Sequence, residues 1–315
     1  MSGDNPNSSD ILLNLESHDF HCEHCWHFYK FKDQRTFAEQ YFRHNARFKC
    51  EECSELIDWW AATLKSIRKA ETNTAEEICL PIGARRSALE VALHPNQILR
   101  IVFADTGIPA DAIILNINYN SIGRGPGEGN PVQAVEILTN PLIRRLESNA
   151  ATFYGAPHGD PPYADVGIHI GITWVPNKPD DISWEYLVNA FQYYLDDRYH
   201  GALIAANAAV ETYLGRLMRE VFEENASRDH VRAFMQDAAT YSHQLNVLLP
   251  TLVDLTNAPP LRDDIRGQLN RLRNQRNNLA HGKITPQSID MNAAAESLCA
   301  AVFGVRYLDV VELYL

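Results

Sequence analysis

No stretch of this 315-residue chain is apolar for long enough to cross a bilayer. Runs such as Ala112–Leu115 and Ala202–Ala206 fall far short of the roughly 20 residues a membrane helix needs. The first ten residues, Met1 to Asp10, are polar and acidic, with neither a basic n-region nor an apolar h-region. Nothing there marks the chain for export, so a cytoplasmic location and no membrane partner are expected. Basic charge is also in deficit. Lys and Arg number 28 against 40 Asp and Glu, a net charge of −12. That excludes a protein coated in basic surface for non-specific nucleic-acid binding, though not a local basic site. Internal repeats and low-complexity tracts are missing too, which excludes a repeat array.

What remains is an ordinary globular composition, 45% hydrophobic and 22% charged, in a chain long enough for two or three domains with their own cores. Cysteine is scarce, but four of the six fall within residues 20–55 as Cys22-x-x-Cys25 and Cys50-x-x-Cys53. In a cytosolic chain such spacing points to metal rather than disulfides. Two knuckles supply four thiolates, which suits a closed tetrahedral zinc site. In about 35 residues with few aliphatics, the metal supplies folding energy that so small a core cannot. Four cysteines leave no open coordination position, so the expected Zn2+ is structural. Redox dithiols or unligated cysteines are the alternatives. His21, His24 or His27 could replace one ligand, but the symmetric spacing favours cysteine throughout.

Residues 1–18 read as a disordered leader, and a short helix is expected from about Ser54 to Lys69. Between residues 76 and 178 short apolar segments (98–103, 112–118 and 166–174) alternate with turn-rich stretches. These predict a β domain, a small sandwich, with one short helix around Pro141–Asn149. The Gly123-x-Gly-x-Gly-x-Gly129 run reads as a mobile loop rather than a phosphate cradle, since no helix pattern follows it. Pro176–Pro179 reads as a linker. From Trp184 the apolar period becomes 3.6, with helices expected near 184–197, 200–224, 228–248, 261–281 and 288–313. Gly282 is placed to cap the fourth, and Ser288 to start the fifth.

Residues 261–283 carry six basic side chains against two acids, a local reversal of the chain's charge. On a helical wheel Leu261, Ile265, Leu269, Leu272 and Leu279 form an apolar stripe, and Arg276 falls within it. A guanidinium on an apolar face needs an anionic partner: a ligand, or a salt bridge to Glu211 or Asp263. Arg262, Arg266 and Arg273 flank the stripe as an edge suited to a phosphate backbone. Asn270, Asn274, Asn277 and His281 make an uncharged polar face, locally unfavourable for a helix and in need of compensation. Arg276 and His281 point about 140° apart on one helix, so a two-fold axis is the simple way to converge duplicate pairs. The alternative for His281 is a solvent-facing histidine that favours the helix dipole. Asn207 and Glu211 sit i, i+4 on the preceding long helix as orienters of Arg276 or His281, or else as a buried polar pair or interface contact. Asp196-Asp197 and Glu223-Glu224 read as solvated faces.

The motif Arg276-Asn277-x-x-x-His281, late in a helical bundle, resembles that of the HEPN superfamily, which pairs such a bundle with Arg-x(4–6)-His. The small-residue-rich helix Ala202–Leu214 also looks like the one that opens many such domains. The resemblance covers about residues 184–315. With the segments read above, the chain is expected to be multidomain α+β: leader 1–18, zinc ribbon plus short helix 19–69, a β-sandwich-like domain of unassigned role 70–179, and, as the resemblance implies, a HEPN-like helical bundle 180–315. It further implies a metal-independent endoribonuclease, a homodimer through the bundle, with Arg276, Asn277 and His281 catalytic and Arg262, Arg266 and Arg273 on RNA. Such proteins look like toxins or antiphage effectors with an antitoxin or phage-derived trigger as partner. An inactive RNA- or protein-binding bundle, or a zinc-ribbon nucleic-acid adaptor, are the other readings.

Overall fold

A computed structural model describes residues 14–15, 20–22, 24–29, 38–39, 41–43, 48–69, 74–94, 96–124, 134–139, 150–156 and 166–315. The chain is mixed helix and antiparallel sheet, divided by its contacts into two compact units. One comprises Met1–Ser17 with Gly83–Asn177, the other His18–Ile82 with Lys178–Leu315. The expected short helix near Pro141–Asn149 and most of the 123–129 loop lie outside the described residues. Of the expected leader, Asn14–Leu15 is a short strand, β1, paired antiparallel with Ser87 and Arg86.

In the first unit β1 joins β6 (Arg85–Leu93), β11 (Val166–Val175) and β8 (Ile113–Arg124) in the order β1-β6-β11-β8. A second sheet orders β7 (Ile98–Val102), β10 (Ala150–Ala156) and β9 (Ala134–Thr139) as β7-β10-β9. Period-two alternation builds the core: Leu89 and Leu93 of β6 and Ile168, Ile170, Ile172 and Trp174 of β11 point one way. They meet Leu99 and Ile101 of β7 and Phe153 of β10 in one apolar cluster. Both sheets thus bury a single shared face.

In the second unit, β2 (Phe20–His21) pairs with β3 (Phe28–Tyr29), and β4 (Phe48–Lys49) with β5 (Leu56–Ile57). Helix α1 (Trp59–Ile67) follows, its first turn capped by the Asp58 carboxylate accepting from Ala61 N–H. The expected helix over 54–69 is therefore shorter at its start, because Leu56–Ile57 is spent as the return strand of the second knuckle. Helix α2 (Ala75–Cys79) opens with a Thr74–Glu77 capping box.

The bundle comprises α3 (Ile182–Leu195), α4 (Tyr199–Glu223), α5 (Arg228–Asp237), α6 and, after it, α7 (Asp263–Ala280) and α8 (Met291–Val311). Helix α6 runs through Tyr241–His243, a π-helical turn Gln244–Leu248, and Leu249–Thr256. The single helix expected over 228–248 is thus two. Thr240 restarts the chain as an N-cap, its hydroxyl accepting from His243 N–H. The start of α8 is also corrected: Asp290 is the cap, accepting from Ala293 N–H, while the Ser288 hydroxyl donates to Thr285 O. Gly282 takes the left-handed conformation after α7 (φ 66°), as a C-terminal glycine should. Helix α8 is buried over most of its length, packed by α4, α7, α3 and α1. At Gly304 an added Cβ would come within 3.1 Å of Val210 on α4 and 3.0 Å of Leu269 on α7, so three helices meet there because that residue has no side chain.

Candidate metal centre and candidate RNA face

The two hairpins hold the cysteines in duplicate geometry. In the first knuckle Cys22 N–H donates to His27 O (2.9 Å) and Trp26 N–H to Cys22 O (2.9 Å). In the second, Cys50 N–H donates to Glu55 O (2.7 Å) and Ser54 N–H to Cys50 O (2.8 Å). The residue after each second cysteine, Trp26 or Ser54, has positive φ (63° and 62°), which turns both thiols inward. The sulfurs of Cys22 and Cys53 are 3.7 Å apart, those of Cys25 and Cys50 3.5 Å, and all four lie within 4.8 Å of one another. Zn–S bonds of about 2.3 Å in a tetrahedron require S–S edges of about 3.8 Å. The cluster fits a tetrahedral thiolate site. Among the described residues its ligand set is four cysteines, with no histidine in it.

This centre is joined to the bundle by rings. Lys65 of α1 lies 4.6 Å from the Trp26 ring, and Trp59 is 4.5 Å from Phe303 of α8. Tyr41 packs edge-on against Trp59 (4.7 Å) and Phe303 (5.7 Å), and Phe42 against Tyr307 (5.1 Å). A second tie is polar. Lys69 donates to Leu195 O (2.9 Å) and Asp197 Oδ1 (2.8 Å), and the Tyr199 hydroxyl donates to the same carboxylate oxygen (2.7 Å). Asp197, expected as part of a merely solvated face, is therefore a clamp, held below the ordinary carboxylate range first by the Lys69 hydrogen bond.

Helix α7 presents the second candidate. Ile265, Leu269 and Leu272 are buried as the stripe requires. Arg276 and Leu279 are only half-buried, and His281 is exposed at the C-cap, its N–H bonded to Asn277 O (2.9 Å). The Arg276 guanidinium donates to Asn277 Oδ1 (3.1 Å), and among the described residues no carboxylate pairs with it. Neither anticipated salt bridge forms: Glu211 accepts from Asn207 Nδ2 (3.0 Å), and Asp263 lies 3.7 Å from Arg266. No hydrogen bond joins Arg276 to His281 among the described residues, in keeping with their divergence on one helix.

The flanking arginines differ. Arg262 is held in a two-pronged bond to Asp264 (3.2 and 2.8 Å) and lies 5.0 Å above the Tyr41 ring, which leaves little of it for a phosphate. Arg266 donates to Leu261 O (3.2 Å), and Arg273 to Asn274 Oδ1 (3.1 Å). The asparagine face compensates itself. Asn270 and Asn246 exchange amide hydrogen bonds (2.9 and 3.1 Å), while Asn274 and Asn277 serve the neighbouring arginines.

Asn207 and Glu211 contact neither Arg276 nor His281 through hydrogen bonds. They pair with each other instead, Asn207 Nδ2 donating to Glu211. Burial pushes the Tyr241 phenol above its ordinary range; the Glu211 carboxylate adds to this and Arg273 opposes it. Gln244 is likewise buried, its Nε2 donating to Ala239 O (2.7 Å). Among the described residues, Asn207 Oδ1, Tyr241 Oη, Gln244 Oε1 and Arg273 Nε are buried without a hydrogen-bond partner. Thr240 as an N-cap was the available signal for this segment; the π-turn that aims Gln244 has none.

Comparison with known proteins adds no relative: no family model matches the chain, and no curated protein or solved structure matches it significantly. No helix among the described residues is long and apolar enough to cross a membrane.

Proposed function

We propose that the chain is a HEPN-type endoribonuclease that cleaves RNA without a catalytic metal. One observation carries this reading: at the end of α7 a half-buried arginine, with no carboxylate partner among the described residues, stands five residues before an exposed histidine, with an asparagine between them holding the guanidinium. The guanidinium suits charge developing on phosphoryl oxygens, and an exposed imidazole suits proton transfer near neutral pH. The nucleophile is the 2′-hydroxyl, so RNA and not DNA is cut, leaving a 2′,3′-cyclic phosphate and a 5′-hydroxyl. Because Arg276 and His281 diverge, the working site forms across a homodimer of the bundle. The four cysteines hold one structural Zn2+, the two-sheet unit is a sandwich that senses a trigger or selects RNA, and the whole acts in the cytoplasm as a toxin or antiphage effector. Incubation of purified protein with RNA in EDTA, with analysis of product ends and of the protein's solution mass, tests it. Cleavage to cyclic-phosphate ends by a dimer supports the proposal; intact RNA contradicts it.

The lack of any bond between Arg276 and His281 favours one second reading, an inactive bundle whose Arg276 face only binds RNA or a protein.

A further inference from the structure

Helix α4 packs on α3, α8, α7 and α6, yet one strip along it stays uncovered. Ile204 is 45% exposed, Arg219 and Ala226 are exposed, and Ala208, Glu211, Gly215 and Phe222 are half-buried. These residues fall within about 80° of the helical wheel over about 33 Å. Ala226, just past the helix end, is carried on a further turn in which its N–H donates to Phe222 O (2.9 Å). Glu211, Gly215 and Arg219 open into one groove with Ile182 of α3, itself 58% exposed. Among the described residues no carboxylate pairs with Arg219. Gly215 is the odd member. Glycine weakens a helix interior, and this chain's own packing does not ask for it: a Cβ there would meet only Gln244 Oε1, at 3.7 Å, an ordinary contact.

The strip reads alike from both ends. Counting four, seven and eleven residues away from Gly215 gives Glu211 and Arg219, Ala208 and Phe222, then Ile204 and Ala226. A second α4, antiparallel and related by a two-fold axis at Gly215, sets Glu211 opposite the partner's Arg219. The same axis sets Ala208 opposite the partner's Phe222 and Ile204 opposite the partner's Ala226, and every pair occurs twice. Each charge then meets its opposite, each bulky side chain meets a methyl group, and two glycines let the backbones approach at the axis. Ala226 borders an apolar cavity of about 370 Å³, lined also by Phe222, Val231 and Phe234, which suits the partner's Ile204. An unrelated partner needs no such symmetry; a second copy does.

We infer that α4 is the surface through which two copies of this chain associate, packing antiparallel with the two-fold axis at Gly215. The inference rests on the homodimer proposed above, but not on RNA cleavage. Its test is sedimentation velocity of the full-length protein over a micromolar concentration range. The wild type should be a dimer. Arg219→Glu, which sets like charges opposite each other, should raise the dissociation constant at least tenfold, and adding Glu211→Lys in the same chain should recover most of that loss. Gly215→Trp should give monomers. Glu224→Lys, exposed at the end of α4 and on its other side, should leave the dimer unchanged. A monomeric wild type overturns both the inference and the homodimer reading. A dimer that withstands either Arg219→Glu or a folded Gly215→Trp overturns the inference alone and leaves the homodimer to another surface. Equal weakening by Glu224→Lys, or a folded double variant no tighter than Arg219→Glu, overturns it too. Should Gly215→Trp or the double variant fail to fold by circular dichroism, Arg219→Glu against Glu224→Lys still decides.

Discussion

Phe303→Ala tests how the cysteine-bearing segment is held to the bundle. Phe303 is fully buried on α8, with ring centroids 4.5 Å from Trp59, 5.0 Å from Trp60 and 5.7 Å from Tyr41. Truncating a buried phenylalanine costs about 3–5 kcal/mol, and aromatic pairs add about 0.5–1.5 kcal/mol beyond their buried area. With three ring partners lost at once, a loss of about 4 kcal/mol is expected. At roughly 2–4 °C per kcal/mol for a unit of this size, the melting transition of that unit should fall by about 8–16 °C. Phe303→Leu keeps most of the volume and should cost less than half as much. Urea unfolding followed by circular dichroism and by tryptophan emission reads the effect twice, since Trp59 and Trp60 flank the site. Metal content should not change, because no cysteine is touched. A loss under about 1 kcal/mol with unaltered emission would refute the reasoning and leave the aromatic contacts incidental.

Purified protein should carry about one zinc per chain, and Cys50→Ser should lose it; absent metal with four freely titratable thiols would refute the metal centre. Arg276→Ala should abolish RNA cleavage, and Arg276→Lys should fail to rescue it, because an ammonium cannot present two N–H groups in one plane to a phosphoryl group; wild-type rates in the lysine variant would contradict that role. Asp197 is depressed below the ordinary carboxylate value, so its contribution is present above pH about 4 and is lost as pH falls through its lower folded value. Lys69→Met should raise the Asp197 pKa in a carbon-detected NMR titration; an unmoved value would show that the clamp does not hold its charge.

Much of the second unit is legible in residue spacing. Helix α7 was expected over 261–281 and spans Asp263–Ala280, with Gly282 left-handed beyond it, because stripe, cap and glycine agree. The paired Cys-x-x-Cys spacing led to four converging sulfurs. What spacing did not show is set by tertiary contact. Strand β10 (Ala-Ala-Thr-Phe-Tyr-Gly-Ala) flanks a strand-favouring Thr-Phe-Tyr with Ala and Gly, and its full length is set by its ladders to β7 and β9. Arg262 reads as a phosphate contact from its position on the wheel, yet Asp264, two residues away, and Tyr41, far off in sequence, occupy it. The i, i+4 spacing of Asn207 and Glu211 left them open as orienters of Arg276 or His281, as a buried polar pair or as an interface contact. In the structure Asn207 Nδ2 donates to Glu211, a buried polar pair, and the Glu211 carboxylate acts on the buried Tyr241 phenol.

RNA cleavage by this chain depends, in the proposed mechanism, on the His281 imidazole. Its side chain is exposed beyond the last turn of α7, so His281→Ala should leave folding, metal content and oligomeric state intact. The decisive measurement is the RNA-cleavage rate of this variant beside the wild type under single-turnover conditions in EDTA. Wild-type protein should cleave to cyclic-phosphate ends, and the variant should do so at least a hundredfold more slowly, the scale of a lost general acid or base. Wild-type cleavage by His281→Ala would contradict it.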